Sequence, residues 1–427
     1  MNKPHSPTRA DRLLRIIERN AAKLRAIGMS NQIIDDEEFR GESIILDGQK
    51  LLNFGLCSYL ALGEDDRLKQ AAKDAVDRYG TSYSSSPYYS AIPLQEDLRE
   101  LLEQIFEADV IVTASTTMGH LAAIPVLAGS ADSVLLDSQV HTSVVTATAS
   151  LGVSGVPIKP IPHNDLEALE QAIVEDDTSE RIWYLIDGVY SMFGDAAPAA
   201  GLTELLERHP RLHIYCDDAH GFAWSGLKGR GHYLANSDWH ERLVVIVGLA
   251  KGFGSLGGAI ATRDSELAEF IRLTGPGLMF GGPVPPPSLG ASIAAAKILL
   301  SDELPELQAE LMERIRLVNA ISAEIGLPFV SRDETPIWFH DVGSMRDMLE
   351  LLAAMRDRGF YLNGSGFPAV AHGHAGIRFT VTLANTPEQI EEMLVSLNEA
   401  RLRLSGDTEL IVDPEAAPVD SAQMPSG

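Results

Sequence analysis

Apolar positions along the chain change texture three times. From Asp11 to about Gly28 they recur at three- and four-residue intervals among Arg and Glu, the spacing of an amphipathic helix. Ser43-Ile44-Ile45-Leu46 and Leu51-Leu52-Asn53-Phe54 then flank Asp47-Gly48, a pair suited to a hairpin turn whose central residues need positive φ. Between about Tyr59 and Leu273, short β-rich runs alternate with helical stretches. The runs are Val110-Ile111-Val112, Ser133 to Leu136, Ile182 to Ile186, His213-Ile214-Tyr215 and Leu243 to Val247. They are too continuously apolar for a sheet with one wet face. They predict a mostly parallel sheet covered by helices on both sides.

The third texture begins after Gly282-Pro283-Val284-Pro285-Pro286-Pro287, which can continue neither a helix nor a central strand and therefore marks a junction. A long helical stretch from Leu289 to about Gly326 follows, then shorter alternating units, then a closing helix from Thr386 to about Leu402. Pro, Ala, Ser and acidic residues dominate from Ser405 onward, the composition of a mobile tail. The expected plan is an N-terminal helix and arm over 1–58, a large α/β domain over 59–285, a smaller α+β domain over 286–404 and a tail over 405–427. The N-terminal helix is expected to pack on the body or on a partner subunit rather than on a membrane.

Ligands of parallel sheets bind beyond the carboxyl ends of the strands. Ser115, Asp137, Asp187, Asp217 and Lys251 all fall at or just after those ends. Lys251 follows Val245-Ile246-Val247-Gly248-Leu249-Ala250, and Asp217 ends the run before it. A lysine and an aspartate so placed suit pyridoxal phosphate: the amine forms a Schiff base, and the carboxylate keeps the ring nitrogen protonated. Asp217 alone would equally fit a helix N-cap or a structural ion pair. His220 follows it by three residues and Lys251 lies on the next strand, which turns the reading toward the cofactor.

His141, just past a strand, is either a satisfied core histidine or a flat ring stacked on the cofactor. Stacking is the favoured expectation. Ser115-Thr116-Thr117 opens a helix and offers N–H groups and hydroxyls as a phosphate cradle, although the same signal marks an ordinary N-cap. Arg378 interrupts the apolar run Gly376 to Thr382, where a guanidinium needs an anion: a substrate carboxylate or an internal salt bridge.

The formal charge of −26 over 427 residues argues against a general nucleic-acid binder. The only cysteines, Cys57 and Cys216, lie in apolar stretches and are expected to be buried core thiols rather than a disulfide or metal site. No apolar run reaches about 18 residues, so no membrane span is expected. The opening residues lack a secretory h-region, and a cytoplasmic protein is the expectation.

Taken together, Tyr59 to Leu62, Asp137 to Ser143, Asp187 to Asp195, Asp217 to Gly221, Gly226 to Gly231, Lys251 to Gly258 and Arg378 resemble the α-oxoamine synthases. These are pyridoxal 5′-phosphate enzymes of fold type I, with an aspartate-aminotransferase-like architecture. The resemblance implies Lys251 as Schiff-base lysine and proton carrier, Asp217 as ring-nitrogen partner and His141 as stacking residue. It places His220 and Ser191 at the ring 3-hydroxyl and Arg378 at the substrate carboxylate. It further implies a homodimer with shared active sites, and decarboxylative condensation of an amino acid with an acyl thioester, from CoA or a carrier, to an α-aminoketone. The alternatives are an aminotransferase or other α-carbon lyase, and a non-catalytic partner subunit.

The chain departs from the family pattern at several positions. Gly248 stands where threonine or serine is usual, Gly281-Gly282 where a Ser-Thr-like pair is usual, and Asp187 where a glutamate is usual. Cys57-Ser58 replaces an Asn-containing pair, and Ser84-Ser85-Ser86-Pro87 a glycine-rich segment ending Ser-Arg. The hydroxyls of Thr116 and Thr117 are expected to offset the lost phosphate contacts.

Overall fold

The computed structural model describes residues 32–407, together with positions 14, 15, 18, 19, 21, 22, 24 and 25. Those eight positions are helical, as the spacing in that segment predicts, and the rest of the expected N-terminal helix lies outside the described residues. The expected hairpin is present: β1 (Ser43–Leu46) pairs antiparallel with β2 (Gln49–Asn53). Its turn has φ 50° at Asp47 and 75° at Gly48, the positive pair such a two-residue loop requires.

The large sheet contains β3 (Asp109–Thr113), β4 (Ser133–Asp137), β5 (Ile158–Ile161), β6 (Ile182–Asp187), β7 (Leu212–Asp217), β8 (Leu243–Gly248) and β9 (Gly258–Thr262). Their order is β3-β9-β8-β7-β6-β4-β5. Pairing is parallel from β5 through β8, and β9 runs antiparallel to both its neighbours. Alternate side chains of β6 feed opposite cores: Ile182, Tyr184 and Ile186 enter one, Trp183 and Leu185 the other. That division is why the run is apolar at every position.

Two strands escaped the sequence pattern. β5 carries Pro160, which argues against a central strand, and it lies at the edge of the sheet where a missing N–H is tolerated. β9 reads Gly-Ala-Ile-Ala-Thr, too small to signal a strand. A side chain at Gly258 would sit 2.7 Å from the Thr116 nitrogen, so the smallness lets the helix Thr116–Leu127 begin against the sheet.

The single long helix expected from Leu289 to Gly326 is two helices, Pro286–Leu299 and Leu304–Glu324. Pro305 favours a fresh first turn, and Ser301 Oγ accepts the Glu303 N–H at 3.3 Å. The first helix also starts inside the proline cluster, because prolines in a first turn lose no intrahelical bond. It packs closely on Asp66–Tyr79, and a side chain at Gly290 would lie 2.3 Å from the Ala71 carbonyl oxygen.

Phe360–Tyr361 (β11) is the parallel neighbour of β2, and a further sheet takes the order β10 (Ile337–Gly343), β13 (Ala375–Thr380), β12 (Asn363–Ser365), all antiparallel. Arg378 sits at its centre, opposite Phe339 on one side and Asn363 on the other. The closing helix runs Pro387–Asp407, past the expected start of the tail, and residues 408–427 lie outside the described residues. Among the described residues no helix is long and apolar enough to cross a membrane. Cys216 is buried as expected, but Cys57 is only half-buried because it faces a cavity beside Arg378.

Candidate active site

Asp187 and Asp217 end adjacent parallel strands and face each other in register. Both are buried, so the two carboxylates share a space that water does not screen. Their protonation is driven apart. Burial, then the charge of Asp217, pushes Asp187 well above the usual carboxylate range. Burial would raise Asp217 too, but His120, Lys251 and His141 outweigh it and hold Asp217 below its ordinary value. Such a split is how a site obtains one ionised and one neutral carboxyl at the same pH. Asp187 also accepts the His141 backbone N–H at 3.0 Å, tying the β6 end to the segment after β4.

Lys251 lies in the turn between β8 and β9. Its amine has no hydrogen-bond or ion-pair partner among the described residues, and burial lowers its pKa despite Asp217. A poorly solvated amine without a partner, near an ionised carboxylate, fits the covalent attachment of an aldehyde and protonation of a pyridine ring. A cavity of about 230 Å³ adjoins it, lined by Cys57, Ser58, Ala250 and Ser255.

The His141 ring is exposed rather than packed in a core, with Nδ1 2.6 Å from Ser143 Oγ. The core alternative is therefore removed, and a face is left for a flat ligand. His220 is buried, and its Nδ1 lies 2.7 Å from Tyr59 Oη. Burial pushes the His220 pKa well down and that of Tyr59 well up, so a neutral phenol and a neutral imidazole share this hydrogen bond. With the phenol as donor, the His220 proton resides on Nε2 and is available to a ligand. Tyr59 lies in a segment that carries the family resemblance, but its contact with His220 was not read from the sequence, because no spacing links position 59 to a residue after β7.

Arg378 donates Nε–H to the Ser191 carbonyl at 2.6 Å, and its Nη2 lies 3.7 Å from Cys57 Sγ. No carboxylate pairs with it among the described residues, so the internal salt bridge is not made, and the buried guanidinium meets only Ser191, Cys57 and Tyr59. Ser191 joins the site through this contact. Ser115 Oγ accepts the Met118 N–H at 3.1 Å and thus caps its helix. A Cβ at Gly248 would lie 3.5 Å from Thr116 Cγ2, so the threonine fills the space beside that glycine.

A second cluster braces the rim. His163 Nδ1 lies 2.9 Å from Asp137 Oδ1, and its Nε2 bonds Asp195. Asn164 N–H donates to Asp137 at 2.9 Å. Burial disfavours the His163 cation, but Asp137 and Asp195 raise its pKa to about 9. A histidine raised above its unfolded value of about 6.5 stabilises fully below that pH and loses the contribution as pH rises through about 9. Melting temperature is therefore expected to fall between pH 7 and pH 10, and His163→Gln should flatten that decline. Equal slopes in parent and variant across calorimetric scans would remove the clamp.

Comparison with known proteins agrees with this fold. The family model for aminotransferase class I and II matches residues 49–397. An 8-amino-7-oxononanoate synthase from Symbiobacterium thermophilum is 32% identical over 357 residues, covering 82% of this chain and 88% of the relative. The corresponding enzyme of Thermosipho melanesiensis is 27% identical over 392 residues, covering 91% and 98%. Among solved structures, serine palmitoyltransferase of Sphingomonas wittichii superposes with a TM-score of 0.85 at 21% identity, covering 94% of this chain and 99% of that one. The 8-amino-7-oxononanoate synthase of Francisella tularensis gives 0.71 at 22%, covering 83% and 99%. The chain belongs to the aminotransferase class I and II family and, within it, to the α-oxoamine synthases, which use pyridoxal 5′-phosphate.

Proposed function

We propose that this protein condenses an amino acid with an acyl thioester, releasing carbon dioxide and thiol and leaving an α-aminoketone. The observation that carries this reading is the pairing of a partnerless Lys251 amine with an ionised, buried Asp217 at the ends of adjacent strands. When bound, the cofactor supplies an electron sink for the bond broken at the substrate α-carbon. Lys251 would hold it covalently and then, with its lowered pKa, move the α-proton. Asp217 would hold the ring nitrogen, His141 the ring face, and the Nε2–H of His220 with Ser191 the ring hydroxyl. Arg378 would fix the substrate carboxylate, and so choose which bond stands perpendicular to the ring.

The test is incubation of the reconstituted enzyme with amino acids and a panel of acyl thioesters. Thiol release matched by carbon dioxide is expected. Keto-acid formation without thiol release would replace condensation by transamination.

For the phosphate, the double change Thr116→Ala and Thr117→Ala is expected to weaken cofactor affinity by about tenfold or more, one or two lost hydrogen bonds to a charged group. Unchanged retention in a dialysis titration would assign the phosphate elsewhere. The domain limits proposed from the sequence remain 59–285 for cofactor and 286–404 for the smaller unit.

A homodimer is part of this proposal. Ser86 Oγ donates to the Met279 carbonyl at 2.7 Å, joining two segments that expose Tyr88, Tyr89 and Phe280. Three large aromatic rings presented to solvent on one surface favour burial against a second copy. Sedimentation of Tyr89→Asp with Phe280→Asp should show monomer, whereas an unaltered dimer would move the interface away from this surface.

A further inference from the structure

His120 lies on the inner face of the helix Thr116–Leu127, with none of its surface exposed. Its Nε2 is 3.0 Å from Asp217 Oδ2 and its Nδ1 is 2.9 Å from Tyr215 Oη, so both ring nitrogens are engaged. Asp217 Oδ1 accepts the Ala219 N–H at 3.1 Å. The helix, the end of β7 and the turn after it therefore converge on one carboxylate. The ionisable groups around that carboxylate are His120, Asp187, His141 and Lys251, with Tyr215 behind His120.

Three proton arrangements are available to the row Tyr215, His120, Asp217. In the first, the phenol donates to Nδ1, and Nε2–H donates to a carboxylate. In the second, the imidazole is a cation and donates at both ends, again to a carboxylate. In the third, a protonated Asp217 donates to Nε2 while Nδ1–H donates to the phenol oxygen. The second and third leave the Tyr215 hydroxyl proton without an acceptor among the described residues, and burying an unpaired donor costs about 1–3 kcal/mol. The third also turns Asp217 into a neutral acid, a weaker acceptor for any ring N–H beside it. The first arrangement, in which every donor has an acceptor, leaves Asp217 ionised, with each oxygen held by one donor and further lone pairs unused.

We infer that His120, backed by Tyr215, is a positioning residue that fixes Asp217 as an ionised, oriented acceptor and so sets the proton affinity of the cofactor's ring nitrogen. The inference rests on Asp217 being the ring-nitrogen partner in the proposed function. His120 acts through Asp217 and needs no contact with the cofactor.

The experiment reconstitutes full-length protein with cofactor labelled with ¹⁵N in the ring, and reads the nitrogen resonance alongside the cofactor dissociation constant. His120→Leu should shift the resonance toward the unprotonated position and weaken retention about 10- to 100-fold, the loss of one hydrogen bond to a buried charge. Tyr215→Phe should shift it part of the way. His120→Gln, which restores an amide donor toward Asp217, should return it toward the parent value. Tyr215→Phe keeps the ring and His120→Gln keeps a polar donor, so they test the idea even if the leucine variant does not fold. Asp217→Asn serves as reference. If Asp217→Asn moves the resonance while the His120 and Tyr215 variants leave it at the parent value, the inference is overturned with the site reading intact. If Asp217→Asn leaves it unmoved as well, the ring-nitrogen assignment fails and the inference falls with it.

Discussion

Lys251→Ala is expected to lower turnover by on the order of 10⁴-fold or more, while leaving the melting temperature of the cofactor-free protein unchanged or slightly higher. The activity loss follows from two roles carried by one amine, covalent attachment and proton transfer, the second alone contributing about 10²- to 10⁴-fold. The stability result follows from the environment of the amine. Burial lowers its pKa, and no hydrogen bond or ion pair among the described residues compensates for its lost hydration. Removing it therefore relieves a penalty instead of breaking a contact. Single-turnover assays with calorimetry on the cofactor-free protein check both halves. Turnover within tenfold of the parent would mean that another group forms the attachment.

The second large effect is at Asp217. Asp217→Asn is expected to reduce turnover by about 10²- to 10³-fold, the range for breaking one member of a buried charged network. The amide keeps the shape but cannot hold a ring N–H and the His120 donor with equal strength, and its NH₂ presents a donor where an acceptor is needed. The repulsion that pushes Asp187 upward disappears with the charge, so Asp187 should ionise at lower pH in the variant. The pH profile of the residual rate should move accordingly. A variant with parental turnover and an unshifted profile would show that the ring is held neutral, or by some other residue.

The sequence exposed this site where chemistry and strand periodicity coincide. Asp137, Asp187, Asp217 and Lys251 are legible because each closes or follows a run apolar enough to be a buried strand, so each polar residue stands out against its surroundings. Arg378 is legible for the same reason on β13. The strands β5 and β9 were not, since Pro160 and a Gly/Ala-rich pentapeptide hide them, and their sheet positions are what make those residues tolerable. The break near Ser301 was masked by helical spacing on both sides.

His120 and the contact made by Tyr59 were missed for a different reason. Their partners, Asp217 and His220, are 97 and 161 residues away, and local spacing carries no trace of such contacts. His120 had one weak signal, an imidazole within an otherwise apolar helix, and that pattern usually means only a satisfied core residue. The bracing triad of Asp137, His163 and Asp195 draws on three segments and is likewise visible only in three dimensions. Ser115 shows the opposite case, where a motif suited to phosphate also meets the needs of a helix end, and its hydroxyl serves the helix.

The most direct measurement is borohydride reduction of the reconstituted protein, followed by peptide mass spectrometry. A phosphopyridoxyl adduct confined to the peptide bearing Lys251, and absent from Lys251→Ala, is the expected result. An adduct on a different lysine, or none in protein that retains native fold, would contradict the assignment on which the proposed chemistry depends.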